Sequence, residues 1–218
     1  MNTLKLVIFD IDGTLFQTAC VTVPAVQKAF VAFGLTPPSR DAICSFFGKP
    51  VEDYEAWLAG LCPAGIAEAL LDTTNDLELR FIGEYGKLYP GAREVLSELK
   101  AGGYALALCS NGPEPYVEAF VRDHGLGDLF EEVYARGTRY ADKEEMVGLI
   151  LKRVGAKRFV LVGDRREDIE AAHTHGGFGI AAVYGFGNPE EWRGADACIQ
   201  SIREAPGHIN ALLGSSCA

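Results

Sequence analysis

The stretch that most constrains the fold lies near the N-terminus, where residues 6–9 (LVIF) are followed at once by residues 10–14 (DIDGT). A run of β-branched and aromatic residues predicts a buried strand. Two aspartates then stand at its end, where burying a carboxylate is costly unless a cation or hydrogen-bond donors meet it. We therefore interpret Asp10 and Asp12 as candidates for a metal-assisted reaction.

Two structural alternatives compete with that interpretation. Asp12-Gly13 between apolar runs is also typical of a type I′ β-hairpin turn, although residues 16–20 do not alternate as a returning strand would. Asp-x-Asp can open a calcium loop, but Gly13 comes two places early for that pattern. Val21 also stands where the closing glutamate belongs.

Composition limits the class of protein and its partners. A chain of 218 residues that is 48% hydrophobic can form one large domain or a domain with an insertion. Its net charge of −10 argues against nucleic acid as a partner, because binding phosphate backbones needs a basic surface. The six cysteines form no Cys-x-x-Cys pair, so we expect thiols rather than a zinc or redox site.

The termini and the hydropathy pattern indicate where the protein resides. No window reaches the roughly 18 continuous apolar residues of a membrane span. The N-terminus lacks a basic segment followed by an apolar one, so we expect neither a membrane anchor nor a signal peptide. A cytoplasmic protein is the resulting expectation, with a loose tail over residues 214–218.

Residues 23–79 show helical periodicity and no convincing strand. Further helices are expected to begin near Pro63 and near Asp72. This pattern predicts an α-helical cap domain over residues 17–87, inserted into a core formed by residues 1–16 and 88–218. Apolar residues recur at helical spacing at Ala25, Ala29, Phe30 and Phe33, and again at Val51, Tyr54, Leu58 and Leu61.

The loop over residues 46–50 (FFGKP) places Lys49 beside two aromatic residues. Gly-Lys-Pro marks a tight turn that can approach a neighbouring surface. Lys49 is either a solvated surface lysine or a lysine that reaches a substrate from the cap.

Strands and helices alternate from residue 88 onward. Apolar runs predict strands over residues 104–109, 130–135, 159–162, 179–183 and 197–199, with helices over 92–101, 114–124, 143–154 and 169–175. Such alternation predicts the α/β class, with a parallel sheet covered on both faces in a three-layer, Rossmann-like core. Ligands bind such sheets at the carboxyl ends of the strands, near a switch in strand order.

Polar residues follow several of these strands. Converging carboxylates raise one another's pKa unless a cation neutralises them, and hard oxygen ligands suit Mg²⁺. Taken alone, Ser110 is a plausible helix cap and Lys143 a solvated residue, and Asp142 and Glu144 leave open local ion pairs for Lys143. The set predicted to meet at one edge is Asp10, Asp12, Ser110, Asn111, Lys143, Asp164 and Asp168.

These residues resemble the motifs of the haloacid dehalogenase superfamily, in the helical-cap branch that contains phosphoglycolate phosphatases and β-phosphoglucomutases. Residues 10–15 (DIDGTL) resemble the first motif of that family, residues 110–112 (SNG) the second, Lys143 the third and residues 163–168 (GDRRED) the fourth. Residues 88–91 (LYPG) are similar to the return from cap to core. The match covers nearly the whole chain.

The resemblance implies a role for each residue. Asp10 would be the nucleophile that forms an aspartyl-phosphate, and Asp12 the general acid and base. Mg²⁺ would bind Asp10, the backbone carbonyl of Asp12 and Asp164, while Asp168 would support Lys143 or a metal-bound water. The phosphoryl group and substrate would be held by Ser110, Lys143, Thr14, Asn111 and, from the cap, Lys49.

The implied activity is that of a Mg²⁺-dependent phosphatase acting on a small phosphate monoester, whether phosphoglycolate-like, a sugar phosphate or a nucleotide. A phosphomutase of the β-phosphoglucomutase type remains an alternative, as does a phosphate-binding protein without turnover. A dehalogenase is disfavoured because Asp12 has no role in displacing halide. A Ser-His-Asp hydrolase is disfavoured because Leu108 stands where the first glycine of Gly-x-Ser-x-Gly belongs. Either a monomer or a homodimer is compatible with the sequence.

Overall fold

A computed structural model describes residues 4–214 and places one parallel sheet at the centre of the molecule. Its strands are β1 (Lys5–Phe9), β2 (Ala105–Ser110), β3 (Glu132–Ala135), β4 (Arg158–Gly163), β5 (Phe178–Ala182) and β6 (Ala197–Ile199). Their order across the sheet is β3-β2-β1-β4-β5-β6, and every pairing is parallel. The predicted α/β class with a parallel sheet is therefore confirmed.

Helices occupy residues 18–85, which follow β1. They are α1 (Thr22–Ala32), α2 (Arg40–Cys44), α3 (Val51–Gly60) and α4 (Ala67–Tyr85), with single 3₁₀ turns at Thr18–Cys20 and Ala64–Ile66. Of the predicted apolar faces, Ala29, Phe30 and Leu58 are buried in a cluster that also includes Phe47 and Leu70. Leu61, which was assigned to the second face, is exposed instead. The short helix α2 was not predicted.

Helix α4 corrects one expectation about this segment. A helix was expected to begin near Asp72, but α4 runs without a break from Ala67 to Tyr85. The hydroxyls of Thr73 and Thr74 donate to the carbonyls four residues earlier, at 2.7 and 2.8 Å. These threonines therefore sit inside the helix instead of capping a new one.

The core has three layers because alternate residues of each strand face opposite sides. In β1, Val7 and Phe9 join one apolar cluster while Leu6 and Ile8 join the other. The first cluster is covered by α5 (Ala92–Ala101), α6 (Glu114–Asp123) and α9 (Ala205–Gly214), and the second by α7 (Lys143–Val154) and α8 (Arg166–Thr174). The helix predicted over residues 169–175 corresponds to α8, which begins earlier, at Arg166.

The hairpin alternative for Asp12-Gly13 is wrong. Strand β1 pairs in parallel with β2 on one side and β4 on the other, so no hairpin partner follows it. The chain after β1 closes into a tight loop in which the backbone N–H groups of Thr14, Leu15 and Phe16 all donate to the carbonyl of Ile11. Gly13 adopts a φ of +83° in this loop, which favours glycine.

Strand β1 lies where the chain order of the sheet reverses, between β2 and β4. Crevices form outside the carboxyl ends of strands at such a switch point. Phe9 is paired with Leu108 of β2 and with Val162 of β4, so residues that follow these three strands emerge at the same edge. This edge holds the site described below.

The described residues also address the expectations about membrane spans and cysteines. Within residues 4–214, no helix combines the length and apolar composition needed to cross a bilayer. The cysteines of this range, Cys20, Cys44, Cys62, Cys109 and Cys198, are unbridged thiols. Gly214 ends α9, whereas Cys217 and the rest of the tail expected to be loose lie outside the described residues.

Candidate active site

Lys143 lies at the first position of α7 and links two of the predicted acids. Its Nζ donates to Asp10 Oδ1 at 2.7 Å and to Asp168 Oδ1 at 2.6 Å, and its side chain is 2% exposed. The alternative of local ion pairs is wrong for this lysine. Asp142 instead caps α7 by accepting from the backbone N–H of Glu145 at 2.8 Å.

Three buried carboxylates meet at the switch point. Asp10, Asp164 and Asp168 each offer an oxygen within 4.8 Å of the others. Burial raises the pKa of Asp10 well above its ordinary value, with Lys143 acting in the opposite direction and the other acids adding to the rise. Burial also raises the pKa of Asp164 to about 7, assisted by the negative charge of Asp168. Asp10 and Asp164 are therefore poorly stabilised as anions by Lys143 and the surrounding protein alone.

Two oxygens of this cluster fit a bound cation. Asp10 Oδ2 and Asp164 Oδ1 are buried and have no hydrogen-bond partner among residues 4–214. A buried carboxylate oxygen in this state is unfavourable unless a cation meets it, and divalent cations such as Mg²⁺ take oxygen ligands of this kind. Asp168 differs, because Lys143 occupies its Oδ1 and the backbone N–H of Arg165 donates to its Oδ2 at 3.0 Å.

The position of Asp164 depends on a loop that follows β5. Its Oδ2 accepts from the backbone N–H groups of Phe186 and Gly187. A Cβ atom on either Gly13 or Gly185 would lie 2.4 Å from the same oxygen. Glycine at both positions lets the two loops close over this carboxylate.

Asp12 lies outside the acidic cluster and has its own donors. Its Oδ1 accepts from Thr18 Oγ1 at 2.6 Å and from the Tyr116 hydroxyl at 2.7 Å. Burial raises the pKa of Asp12, and the hydrogen bonds from Thr18 and Tyr116 partly oppose that rise. The carboxyl group is thus held in one orientation while its proton affinity is increased.

The remaining residues predicted from the core lie at the same edge of the sheet. Ser110 ends β2, and its Oγ accepts from the backbone N–H of Gly112 at 3.0 Å. Asn111 Nδ2 donates to the carbonyl of Gly48 at 2.8 Å, so it contacts the 46–50 loop. Asn111 Oδ1 and Thr14 Oγ1 are buried without a partner among the described residues. Both are polar atoms still able to meet a ligand.

A cavity of about 80 Å³ adjoins this edge. That volume suits a handful of water molecules or a small organic group. The cavity is lined from the sheet side by Asp12, Asn111 and Tyr116, and from the helical segment by Lys49, Tyr54 and Glu78. The Nζ of Lys49 lies 4.8 Å from the centre of the Phe46 ring.

Glu78 is a buried acid on α4 that faces the cavity. The Tyr54 hydroxyl donates to its Oε1 at 3.2 Å, and Thr22 provides a further side-chain hydrogen bond. Burial raises the pKa of Glu78 to about 7 despite these two donors. The carboxyl group is therefore poorly stabilised as an anion.

Comparison with known proteins identifies the family. The model of the family described as haloacid dehalogenase-like hydrolase matches residues 7–182. The chain belongs to this family. This match confirms that the sequence motifs resemble those of the family. It also confirms the predicted class of enzyme, a haloacid dehalogenase-like hydrolase.

The hydrolase is similar to curated proteins named phosphoglycolate phosphatase. It is 30% identical over 191 residues to the one from Pseudomonas syringae pv. tomato, an alignment covering 84% of this chain and 70% of the relative. It is also 30% identical over 198 residues to the one from Pasteurella multocida, covering 85% and 88%. These relatives support a phosphoric monoester hydrolase.

A solved structure supports the fold of the hydrolase. The crystal structure of a predicted phosphoglycolate phosphatase from Haemophilus somnus superposes with a TM-score of 0.81 at 23% identity. The alignment covers 95% of this chain and 99% of that one. The predicted Rossmann-like architecture is therefore shared with a family member.

Sequence reasoning missed several residues that contact the site. Thr18 and Tyr116, which hold Asp12, follow no local pattern that would single them out. Glu78 did leave a signal, because Leu70, Thr74, Glu78 and Phe81 share the buried face of α4 at helical spacing. An acid on such a face is unusual enough to mark a site.

Replacing Glu78 with glutamine is expected to stabilise the hydrolase above neutral pH. The pKa of Glu78 is about 7 in the folded protein against an ordinary value of 4.5, so the folded state holds a proton that the unfolded state has released. The stability due to the neutral carboxyl is complete below pH 4.5 and is lost as pH rises through 7. The loss amounts to about 3 kcal/mol.

Urea unfolding at several pH values tests this expectation. At pH 8 the Glu78→Gln variant should unfold with a free energy about 2 to 3 kcal/mol higher than the unmodified protein, and the difference should shrink towards pH 5. Glu68→Gln, an exposed position on the same helix, is the matched control and should show no such gain. A Glu78→Gln variant that is less stable at pH 8 would contradict the expected charge penalty.

Proposed function

We propose that this hydrolase is a Mg²⁺-dependent phosphatase that cleaves a small phosphate monoester through an aspartyl-phosphate on Asp10. The observation that carries the proposal is the lysine-bridged pair of Asp10 and Asp168 beside two partnerless carboxylate oxygens. An anionic nucleophile can approach an anionic phosphate only where cations offset the repulsion. The curated relatives named phosphoglycolate phosphatase support the same reaction type.

The residues that would hold Mg²⁺ are Asp10 and Asp164, with the backbone carbonyl of Asp12. Asp10 and Asp164 each contribute a buried oxygen that lacks a partner among the described residues. When bound, the ion would supply positive charge that offsets the repulsion of the anionic nucleophile and the anionic phosphate. Asp168 positions Lys143 through its 2.6 Å hydrogen bond, since both of its own oxygens are already engaged.

In the first step an oxygen of Asp10 attacks phosphorus and the bond from phosphorus to the leaving oxygen breaks. Asp12 donates its proton to that leaving oxygen, and its raised pKa favours the protonated form that this requires. In the second step water attacks the aspartyl-phosphate, Asp12 takes the proton of the water, and the carboxylate of Asp10 is regenerated with release of phosphate. Thr18 and Tyr116 keep Asp12 in place through both steps.

Donors around the phosphoryl group would come from both sides of the site. We assign Lys143 and the Ser110 hydroxyl to the phosphoryl oxygens, with the free Thr14 hydroxyl and Asn111 next to them. Lys49 is the contribution of the 46–50 loop, which is docked on Asn111 through the carbonyl of Gly48. These donors stabilise charge that develops as the phosphoryl group transfers.

Residues 17–87 are proposed to act as a cap domain that opens for substrate. Asp10 and Asp164 are almost fully buried, so a phosphate ester reaches them only if the helical segment moves. One end of this segment is anchored to the core, because Phe81 and Ile82 of α4 pack into the first apolar cluster. Near the 46–50 loop the contacts with the core include Asn111 with Gly48, the Phe47 and Phe186 rings with centres 4.7 Å apart, and the double hydrogen bond between Arg136 and Glu52.

A phosphatase assay with p-nitrophenyl phosphate and a panel of phosphate esters tests the function. Turnover should require a divalent cation, fall at least about 100-fold in EDTA and return with added Mg²⁺. Mg²⁺ at about 100 times its dissociation constant should also raise the free energy of unfolding by about 2.7 kcal/mol. Full activity in EDTA would contradict the metal assignment.

The same panel separates the alternative functions. Conversion of a sugar phosphate into its isomer without phosphate release would identify a phosphomutase. Binding of phosphate esters with no turnover of any of them would identify a phosphate-binding protein. Release of inorganic phosphate from at least one ester is the expected result.

A further inference from the structure

We propose that the leaving group of the substrate carries a hydrogen-bond donor, a hydroxyl or an amine, that binds Glu78, and that esters with a carboxylate at this position are disfavoured. The proposal rests on the proposed phosphatase function and names the class of ester that the site selects. Glu78 is accordingly a specificity-determining residue. Its place in the lining of the same cavity as Asp12 carries the argument.

The cavity is lined by residues of the core and of the helical segment. Asp12 and Asn111 belong to the core, where the phosphoryl group would transfer. Glu78 belongs to α4 and lines the same cavity. A leaving group whose bridging oxygen receives the proton of Asp12 therefore enters a cavity that Glu78 also lines.

The helical side of the cavity offers acceptors and hydroxyls. Glu78, Tyr54, Thr22 and Asn75 line it, and Tyr54 and Thr22 both hydrogen-bond to Glu78. Among the described lining residues the cation is Lys49, which belongs to the 46–50 loop docked on Asn111. We therefore assign Lys49 to the phosphoryl group, because its loop is docked on Asn111, and Glu78 to the leaving group.

A carboxylate on the leaving group would lie close to the carboxylate of Glu78. Two carboxylates in a poorly solvated cavity repel one another, and with Lys49 assigned to the phosphoryl group no second cation remains among the lining residues described. The pKa of Glu78, raised by burial to about 7, indicates that this wall already disfavours added negative charge. A hydroxyl or an ammonium instead donates to Glu78 and replaces the water lost on binding.

The size of the cavity limits the leaving group further. Its volume of about 80 Å³ suits a chain of a few non-hydrogen atoms. Short polyol phosphates and short aminoalkyl phosphates meet both requirements. Both classes of ester carry a hydroxyl or an amine that can donate a hydrogen bond to Glu78.

The test compares esters that differ in the group facing Glu78. Values of kcat/KM are measured for glycerol 3-phosphate, phosphoethanolamine, 2-phosphoglycolate and p-nitrophenyl phosphate, with Mg²⁺ present. At least one donor-bearing ester should exceed 2-phosphoglycolate by about tenfold or more. Glycerol 3-phosphate and phosphoethanolamine distinguish a hydroxyl from an amine as the donor.

Variants of Glu78 test the assignment of that preference. At pH 8, where Glu78 with a pKa of about 7 is mostly ionised, Glu78→Gln should lower the ratio of donor ester to 2-phosphoglycolate by about tenfold, chiefly through KM, because it removes the charge and keeps the shape. Glu78→Asp retains the charge and should retain the direction of the preference. Glu68→Gln, exposed on α4, should leave the ratio unchanged.

The outcomes separate this inference from the proposed function. Failure to release phosphate from every ester, including p-nitrophenyl phosphate, would overturn the phosphatase itself. Hydrolysis with a preference for 2-phosphoglycolate that Lys49→Met removes would leave the phosphatase standing and overturn the role of Glu78. A ratio that does not change in Glu78→Gln would overturn it equally.

Discussion

Replacing Asp10 with asparagine is expected to lower phosphate release by at least about 10⁴-fold, because an amide cannot attack phosphorus as a carboxylate does. The same change should not reduce the free energy of unfolding. Burial raises the pKa of Asp10 well above its ordinary value, which means that the folded state disfavours its charge. Asparagine removes that charge and leaves Lys143 its hydrogen bond to Asp168.

Two measurements make this expectation decisive. Steady-state phosphate release is compared with urea unfolding, using Asp128→Asn at an exposed surface turn as the matched control. Mass spectrometry of acid-quenched enzyme should show a phosphoryl group on the peptide containing Asp10 in the unmodified protein alone. Retention of more than about one tenth of the activity in a folded Asp10→Asn variant would refute the nucleophile.

The predicted meeting of Asp10, Asp164 and Lys143 illustrates what the sequence can determine. Parallel strands present their carboxyl ends at one edge, so acids that follow apolar runs must emerge close together. The pairing of Phe9 with both Leu108 and Val162 brings those ends level. The parallel sheet therefore follows from the alternation of strands and helices, and the edge that carries the polar residues follows from the parallel strands.

Other parts of the site depend on contacts that no local pattern specifies. Tyr116 reaches Asp12 from a helix 104 positions away in sequence, and Asp164 is held by backbone amides of a loop after β5. Such contacts are set by how loops close, which periodicity does not encode. Glu78 could be predicted from the sequence, because a helical projection of α4 places it among buried residues.

The extent of α4 shows why element boundaries were less predictable than element types. Thr73 and Thr74 favour turns and caps in isolation, since their hydroxyls compete for backbone groups. In the folded chain these hydroxyls bond back to carbonyls of the same helix, and Thr74 is buried against its neighbours. Tertiary packing therefore decided a local choice that propensity left open.

Replacing Lys143 with methionine is expected to reduce both turnover and stability. Methionine is similar in length but leaves Asp10 and Asp168 facing each other without the ammonium group that both contact. Breaking a buried ion pair from one side lowers the free energy of unfolding by about 3 to 5 kcal/mol. Loss of a donor to the phosphoryl group should lower kcat by a further about 10²- to 10³-fold.

Lys152→Met is the matched control, since Lys152 is exposed on the same helix and should tolerate the change. Urea unfolding and kcat are measured for both variants, and turnover is assayed under conditions where Lys143→Met remains folded. The contrast with Asp10→Asn is the informative result, because that variant should lose activity and keep its stability. A Lys143→Met variant as stable as Lys152→Met would show that Lys143 does not neutralise the buried acids, and the electrostatic basis of the proposed site would fall with it.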